Sequence, residues 1–440
     1  MEYEEIDWNS SVSGGRIRKR VKMNKINILA SLLIMVLFIS GCSGTGKEGQ
    51  DSARNPSIEK MDAYSEESEE NEELENPDYE IKTISMKQEE KEKISKDLLS
   101  IVEKCKDIYI QADKGQASNI ILDDAVVHQM IDRVAADGYS VTCGDDDYNM
   151  QNYEIVNEKL LRAKEGDEVE TEFYVINTSG VFSYNYLQFM DDELIVTYVS
   201  AMFDDNIKPQ INYMDRVQVY QWEYTEKGWL IWEKALSRNQ EMDMHVFHRI
   251  LPLEDKCREI AQKCIAPVSY FCNNLFLTDW DMEHLDQVEF NDLFDFLYSM
   301  KTGNRLDSAK YSEGIPKEEF EGIVQIYFDI TIEDLQEYAK YNESKEVYPW
   351  SEIGAWNRVQ QFQPFPEVVK CVENEDGTLS VYVEAIFIEL GMDCSFSHIV
   401  TIREDENGGW VYCGNKVNWD DAYRVPAYKA RREYVNTESN

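Results

Sequence analysis

The sequence predicts an α+β fold: two tandem domains, each a group of helices followed by a curled antiparallel β-meander, behind a disordered tether. Three observations point there. Apolar residues recur at spacings of three and four between 94 and 160, then at a spacing of two from Val169, the periods of helix and strand. The same order, helices then strands, returns beyond residue 250. Ahead of both, residues 43–80 hold thirteen acidic and three basic side chains and almost no apolar ones. Such a segment buries too little surface to offset the entropy of ordering it. The expected segments are 1–41, 42–84, 85–240, 250–425 and a tail at 426–440.

The first segment contains "NILASLLIMVLFISGCSG". Its apolar run, 26–39, is shorter than the roughly 20 residues a spanning helix needs. Arg16, Arg18, Lys19, Arg20, Lys22 and Lys25 precede it and small residues end it, the layout of a secretory signal. Met23-Asn24-Lys25 would open an ordinary short signal, leaving residues 1–22 as a long n-region or a stretch ahead of the true start. The ending Ile39-Ser40-Gly41-Cys42 resembles a bacterial lipobox. That resemblance implies cleavage before Cys42 and diacylation of its sulfur. Two acyl chains suffice for stable attachment, so the expected location is the outer face of a bacterial cytoplasmic membrane, with the lipid anchor as the membrane contact. The acidic segment after Cys42 would act as a spacer of roughly 35 Å.

Charge narrows the partners. Lys and Arg total 44 against 85 Asp and Glu, a net charge of −41. Nucleic acid is excluded, because neutralising phosphates needs clustered basic side chains. A cationic ligand is compatible. After Cys42, eight cysteines remain, at 105, 143, 257, 264, 272, 371, 394 and 413. No C-x-x-C pair occurs, so zinc-knuckle and thioredoxin-type sites lack support, while disulfides stay open outside the cytoplasm.

In the first domain, Ser85 and Gln88 fit a capping box, followed by a helical face of Ile94, Leu98, Ile101, Cys105 and Ile108. "DDAVVHQMIDRVAADG" and "MQNYEIVNEKLLRAKEG" read as helices closed by Gly138 and Gly166. Strands follow at "VETEFYVI", "VFSYNYLQF", "LIVTYVSAMF", "RVQVYQWEY" and "WLIWEKAL", with Val169, Thr171, Phe173 and Val175 as the inward set of the first. In the second domain, helices are expected at "EDKCREIAQKCIAPVSYF", "VEFNDLFDFLYSM", "PKEEFEGIVQIYF" and "TIEDLQEYAKY". Strands are expected at "PEVVKCVE", "TLSVYVEAIF", "SFSHIVTIRE" and "WVYCGNKV". "EYTEKGWLIW" and "REDENGGWVY" form a weak internal repeat, placing Trp229 and Trp410 at matching hairpins with core-packing roles.

Helices followed by a bent antiparallel sheet resemble the nuclear-transport-factor-2-like, or cystatin-like, fold. "MQNYEIVNEKLLRAKEGDEVETEFYV", "VYQWEYTEKGWLIWEKAL" and "IPKEEFEGIVQIYFDITIEDLQEYA" are similar to segments of uncharacterised lipoproteins of Gram-positive anaerobes, which carry a domain-of-unknown-function label. The resemblance spans most of 85–425 and implies surface location without an assigned activity.

Catalytic patterns are weak. The acids at 145–149 miss the EF-hand positions for Gly and Glu and suit a helix start. His245 and His248 lack the H-E-x-x-H context. The chain has no G-x-S-x-G, and "GTGKEG" sits at the anchor rather than between a strand and a helix. "TDWDMEHLD" offers Asp279, Asp281, Glu283 and Asp286 beside His284 and Trp280, a set that glycoside chemistry could use. Two strands carry alternating aromatics: Phe182, Tyr184 and Tyr186, and Tyr220, Trp222 and Tyr224. From these, Tyr184, Tyr186 and Trp222 are the candidate ligand contacts. The expected function is a non-enzymatic binding or accessory role at the cell surface, with a protein, peptide or glycan ligand and no metal or cofactor. The alternative is a wall or polysaccharide hydrolase using the carboxylates at 279–286. A solute receptor is disfavoured, since its parallel-sheet pattern is missing.

Overall fold

Alternation along the strands of the first half sends successive side chains to two different layers. A computed structural model describes residues 80–114, 120–144, 148–236, 244–353 and 363–431. The signal segment, Cys42 and the tether up to residue 79 lie outside the described residues, as do 145–147. Four helices, α1 (Gln88–Lys104), α2 (Lys106–Gln111), α3 (Asp124–Ala135) and α4 (Tyr153–Lys164), accompany strands β1 (Lys82–Thr83), β2 (Val141–Cys143), β3 (Val169–Ile176), β4 (Phe182–Met190), β5 (Glu193–Phe203) and β6 (Pro209–Gln218). These strands make one sheet in the order β1-β6-β5-β4-β3-β2, antiparallel except for β2 beside β3. The fold class is α+β, as the sequence predicts.

One face of this sheet carries α1–α3. Leu98, Ile101 and Val102 of α1 and Val127, Met130, Ile131 and Val134 of α3 bury against Tyr174, Phe182, Val199 and Phe203. The other face carries α4, whose Val156, Leu160 and Ala163 meet Phe173, Leu187, Phe189 and Val196. Each fully buried aliphatic or Phe side chain contributes about 1.5–3 kcal/mol. Hairpin β4–β5 turns through Asp191 and Asp192 with φ of 52° and 66°, the two positive angles of a tight hairpin whose twist matches its strands. A register shift at Ser200/Ala201 bends the sheet.

Several expectations need correction. Helix α1 begins at Gln88 with Lys87 as N-cap. The Ser85–Gln88 box does not form, and Gln88 Nε2 donates to Glu92 Oε1 (2.9 Å) instead. The helix start expected at 145–149 falls partly on 145–147, outside the described residues, and the N-cap of α4 is Asn152. Asn152, at φ 53°, precedes the helix and donates to Ala135 O and Tyr139 O. "RVQVYQWEY" is not one strand. The chain leaves the large sheet at Val219, whose N–H still bonds Leu194 O, and Tyr220 N–H then bonds Glu233 O. From there β7 (Gln221–Tyr224), β8 (Trp229–Glu233) and β9 (His245–Arg249) form a separate sheet. The hairpin holding Trp229 therefore lies outside its half's main sheet, whereas the one holding Trp410 lies within its own, so the two hairpins are not equivalent.

The second half contains α5 (Asp255–Ile260), which widens into a π turn at Ala261–Ile265, then α6 (Phe290–Thr302), α7 (Lys317–Tyr327) and α8 (Ile332–Tyr338). Short strands β10 (Trp280–Asp281), β11 (Ile315–Pro316) and β12 (Val347–Tyr348) precede the meander β13 (Phe365–Glu373), β14 (Leu379–Ile386), β15 (Ser397–Glu404) and β16 (Trp410–Val417). The main sheet runs β10-β16-β15-β14-β13, antiparallel throughout. Gly303 ends α6 at φ 67°, a left-handed cap. Structure continues past residue 425: the side chain of Arg431 is fully buried and bonds Asp295 and Cys272 O.

The two halves belong to one compact unit. Their junction is built on Trp229, which is 0% exposed and packs with Ile231, Phe247, Phe365 and Ile386. Trp229 Nε1 (3.1 Å) and Arg249 Nη1 (2.9 Å) both donate to Glu367 Oε2. Burial pushes the Glu367 carboxyl up, while Arg249 and the indole N–H pull it back. Gly228, at φ 94°, lets Leu251 pack closely; a Cβ there would sit 2.4 Å from Leu251 Cβ. Among the described residues, no helix is long and apolar enough to cross a membrane.

Candidate functional site

Strand register gathers three tyrosines into one row, and Tyr139, just ahead of β2, extends it. Tyr174 of β3 sits opposite Tyr184 of β4, and Glu172 opposite Tyr186. These even-numbered positions share the face that carries α1–α3, but they lie where helix cover thins. A hollow of about 380 Å³ opens there. Its floor is Glu172, Tyr174, Tyr184 and Tyr186, and its walls are Tyr139 and the α1 residues Glu90, Lys93, Ile94, Asp97 and Leu98.

The rings form a continuous series. Tyr139 meets Tyr174 edge-on at 5.4 Å between centroids, Tyr174 meets Tyr184 at 5.2 Å, and Tyr184 lies parallel to Tyr186 at 6.4 Å. Tyr184 donates its hydroxyl to Glu172 Oε2 at 2.6 Å. Burial first, then the neighbouring carboxylates, pushes the Tyr184 and Tyr186 hydroxyls far above the ordinary phenol range. They stay protonated, so neither supplies a nucleophile or a base. Below Tyr186, the Tyr186 hydroxyl and Gln188 hold the Glu170 carboxyl below its usual value. At the α1 wall, Arg216 bonds Glu90 and lowers its pKa, while Arg216 Nε donates to Thr197 Oγ1 at 2.7 Å.

The lining therefore carries three carboxylates, Glu90, Asp97 and Glu172, against Lys93, with Arg216 behind Glu90. Electron-rich tyrosine faces and excess negative charge favour a cation. Lys104 already stands 5.4 Å over the Tyr139 ring. Hydrogen-bond acceptors beside aromatic faces make a recognition surface. Among the described residues, no group of three or more His, Cys, Asp or Glu is placed to hold a metal ion.

Of the three candidate contacts, the structure brings Tyr184 and Tyr186 together and separates Trp222 from them. Trp222 lies on β7, packs edge-on against Phe189 at 4.7 Å and points Nε1 at Asp192 O (3.4 Å). Phe189 occupies the opposite face of β4, so Trp222 is a packing residue of the other layer. Glu172, Tyr174 and Tyr139 were missed. Their signal was present, because "VETEFYVI" read at its even positions and folded back across "NTSG" pairs Tyr174 with Tyr184.

Three of the four carboxylates at 279–286, Asp279, Asp281 and Asp286, accept local hydrogen bonds. Asp279 accepts from Val417 N (2.7 Å) and Trp419 Nε1 (3.1 Å). Asp281 accepts from Glu283 N and pairs with His284 Nδ1 at 2.7 Å on the exposed surface. Trp280 is buried and donates to Leu275 O, so it offers no sugar platform. Glu283 and Asp286 do rim an open hollow of about 780 Å³ that also reaches Asp292. There, Tyr428 Oη and Arg431 N both donate to Asp292 Oδ2, which ties the C-terminal segment to α6. His245 and His248 have separate surroundings: His245 lies 3.8 Å from Glu233, and His248 packs against Phe173 and Trp232.

Comparison with curated proteins and with solved structures found no match. The family model that does match spans residues 91–431, both halves together, and on that basis the chain belongs to the family of unknown function DUF6070.

Proposed function

We propose that this chain is a non-enzymatic binding protein, held by lipid on Cys42 at the outer face of a bacterial cytoplasmic membrane, and that the tyrosine hollow is its ligand site. The observation carrying the site is the row Tyr139–Tyr174–Tyr184–Tyr186 beside Glu172 and Asp97. The ligand class is an organic cation, such as the lysine or arginine side chain of a peptide or an amino group on a glycan. Support for the anchor comes from the lipobox-like 39–42 and the acidic spacer behind it. The order of elements in each half supports the cystatin-like reading of the halves. The hydrolase reading gains little, since Asp279, Asp281 and Asp292 accept hydrogen bonds with structural roles.

The test is a calorimetric titration of the full chain in detergent with tetralysine, using tetraglutamate as control. Tyr184→Ala leaves net charge unchanged and removes one ring, worth about 1–2 kcal/mol of cation–π attraction. Tetralysine should bind, and Tyr184→Ala should bind it about 5- to 30-fold more weakly. Equal binding by wild type and Tyr184→Ala would show that only diffuse negative charge is sensed.

A further inference from the structure

The other face of β3–β4 holds a separate cavity of about 250 Å³, on the opposite side of the sheet from the tyrosine row. Ser183 and Asn185 occupy the odd positions of β4, and Tyr198 of β5 pairs with Asn185. Phe247 and His248 of β9 close it from one side and Ile388 of the second half from another. We infer that this cavity is a binding site for one small, uncharged, hydroxyl-bearing molecule the size of a single sugar ring.

Asn185 carries the inference. It is 2% exposed, lines the cavity, and its Nδ2 finds no partner among the described residues. A buried amide N–H is costly to leave unpaired, so an acceptor oxygen inside the cavity is favoured. Next to it, Ser183 Oγ and Tyr198 Oη lie 2.9 Å apart. Two bonded hydroxyls still offer one free O–H and spare lone pairs, which a second polyol oxygen can use.

Among the described lining residues, charge favours a neutral occupant: the charged side chain there, Arg249, is committed to Glu367 (2.9 Å) and Leu251 O (2.9 Å). Burial holds His248 neutral, with its pKa pushed down to about 4. Phe247 and the Tyr198 ring supply flat apolar surface, and sugar rings present C–H faces to such surfaces while their hydroxyls reach amides. Size sets the limit: pockets for drug-sized ligands begin near roughly 300 Å³, so one ring fits and a chain of rings does not. Because Ile388 of the second half borders the cavity, as does Arg249, which holds Glu367, an occupant would tie the halves together and raise the melting temperature by mass action.

The experiment is thermal unfolding and calorimetry of the full chain in detergent with glucose, N-acetylglucosamine and inositol, with glutamate and lysine as charged controls. At least one neutral probe should raise Tm with concentration, and the charged controls should not. Asn185→Leu, close in size and without the amide, should keep the fold and weaken that probe by about tenfold or more. Ser183→Ala should weaken it independently if the leucine variant fails to fold. Tyr184→Ala, on the opposite face, should leave it unchanged, which separates this site from the tyrosine hollow. Failure of all three neutral probes, binding insensitive to both cavity variants, or a crystal structure in which ordered water alone satisfies Asn185 with the probes present would overturn the proposal.

Discussion

Acid should destabilise this protein in part through a buried histidine. His398 is 2% exposed and sits between Tyr270 and Asn415. Asn415 Nδ2 donates to Thr278 O, which leaves Asn415 Oδ1 as the acceptor for His398 Nδ1–H at 2.7 Å. Nε2 then accepts from the Tyr270 hydroxyl at 2.9 Å. Both ring nitrogens are satisfied only in the neutral form. Burial dominates and pushes the pKa from 6.5 down to about 4. A depressed folded pKa means that the unfolded chain binds the proton first. The contribution is therefore complete above about pH 6.5 and is lost as pH falls toward 4. At about pH 4.5 the loss amounts to about 2–3 kcal/mol, since each pH unit between the unfolded and folded pKa values is worth about 1.36 kcal/mol. Urea unfolding at about pH 7 and pH 4.5 measures it, with His398→Gln as the reference. The glutamine amide can donate to Asn415 and accept from Tyr270 without titrating. The variant should lose about 2–3 kcal/mol less on acidification than wild type. Equal acid losses, or a His398 ring that titrates near pH 6.5 by NMR, would refute the reasoning.

Three further outcomes are expected. Glu367→Ala leaves Arg249 buried without its carboxylate and should cost about 3–5 kcal/mol in a urea melt; an unchanged midpoint would remove the Trp229–Arg249–Glu367 junction from the energetics. Cys257 and Cys371 place their sulfurs 3.8 Å apart across α5 and β13. Catalysed oxidation by a dithiol–disulfide oxidoreductase should form a bond between them, with loss of two hydrogens in the intact mass and protection of both from alkylation, and two free thiols after that treatment would contradict it. Finally, Cys42→Ala should stay unprocessed and unlipidated, keeping the signal segment and gaining no acyl mass, whereas an intact mass like wild type would rule out lipid attachment.

Much of the element order was legible because hydrophobic period is a local property. The meanders at 169–218 and 365–417 and the Gly-capped helices needed no distant information. The site was half legible. Tyr184 and Tyr186 stood out as alternating aromatics, but Tyr174 and Glu172 were hidden by choosing Val169, Thr171, Phe173 and Val175 as the inward face. Both faces of β3 are covered in the fold, so a spacing of two identifies the strand without saying which face holds a hollow. Trp222 was grouped with the tyrosines because nothing in "RVQVYQWEY" marks the point where the chain changes sheets; that exit is fixed by Leu194 and Glu233, carbonyls on other strands. The junction was invisible for the same reason. Its bonds to Glu367 come from residues 118 and 138 positions away.

The most direct test of the tyrosine hollow is an NMR titration of the full chain, labelled at its tyrosine and tryptophan rings, with tetralysine. Occupancy of the hollow requires saturable shifts at Tyr139, Tyr174, Tyr184 and Tyr186, with Trp222 on the other layer unmoved. Shifts spread over exposed rings such as Tyr423 and Trp419, with the four hollow tyrosines unchanged, would contradict it.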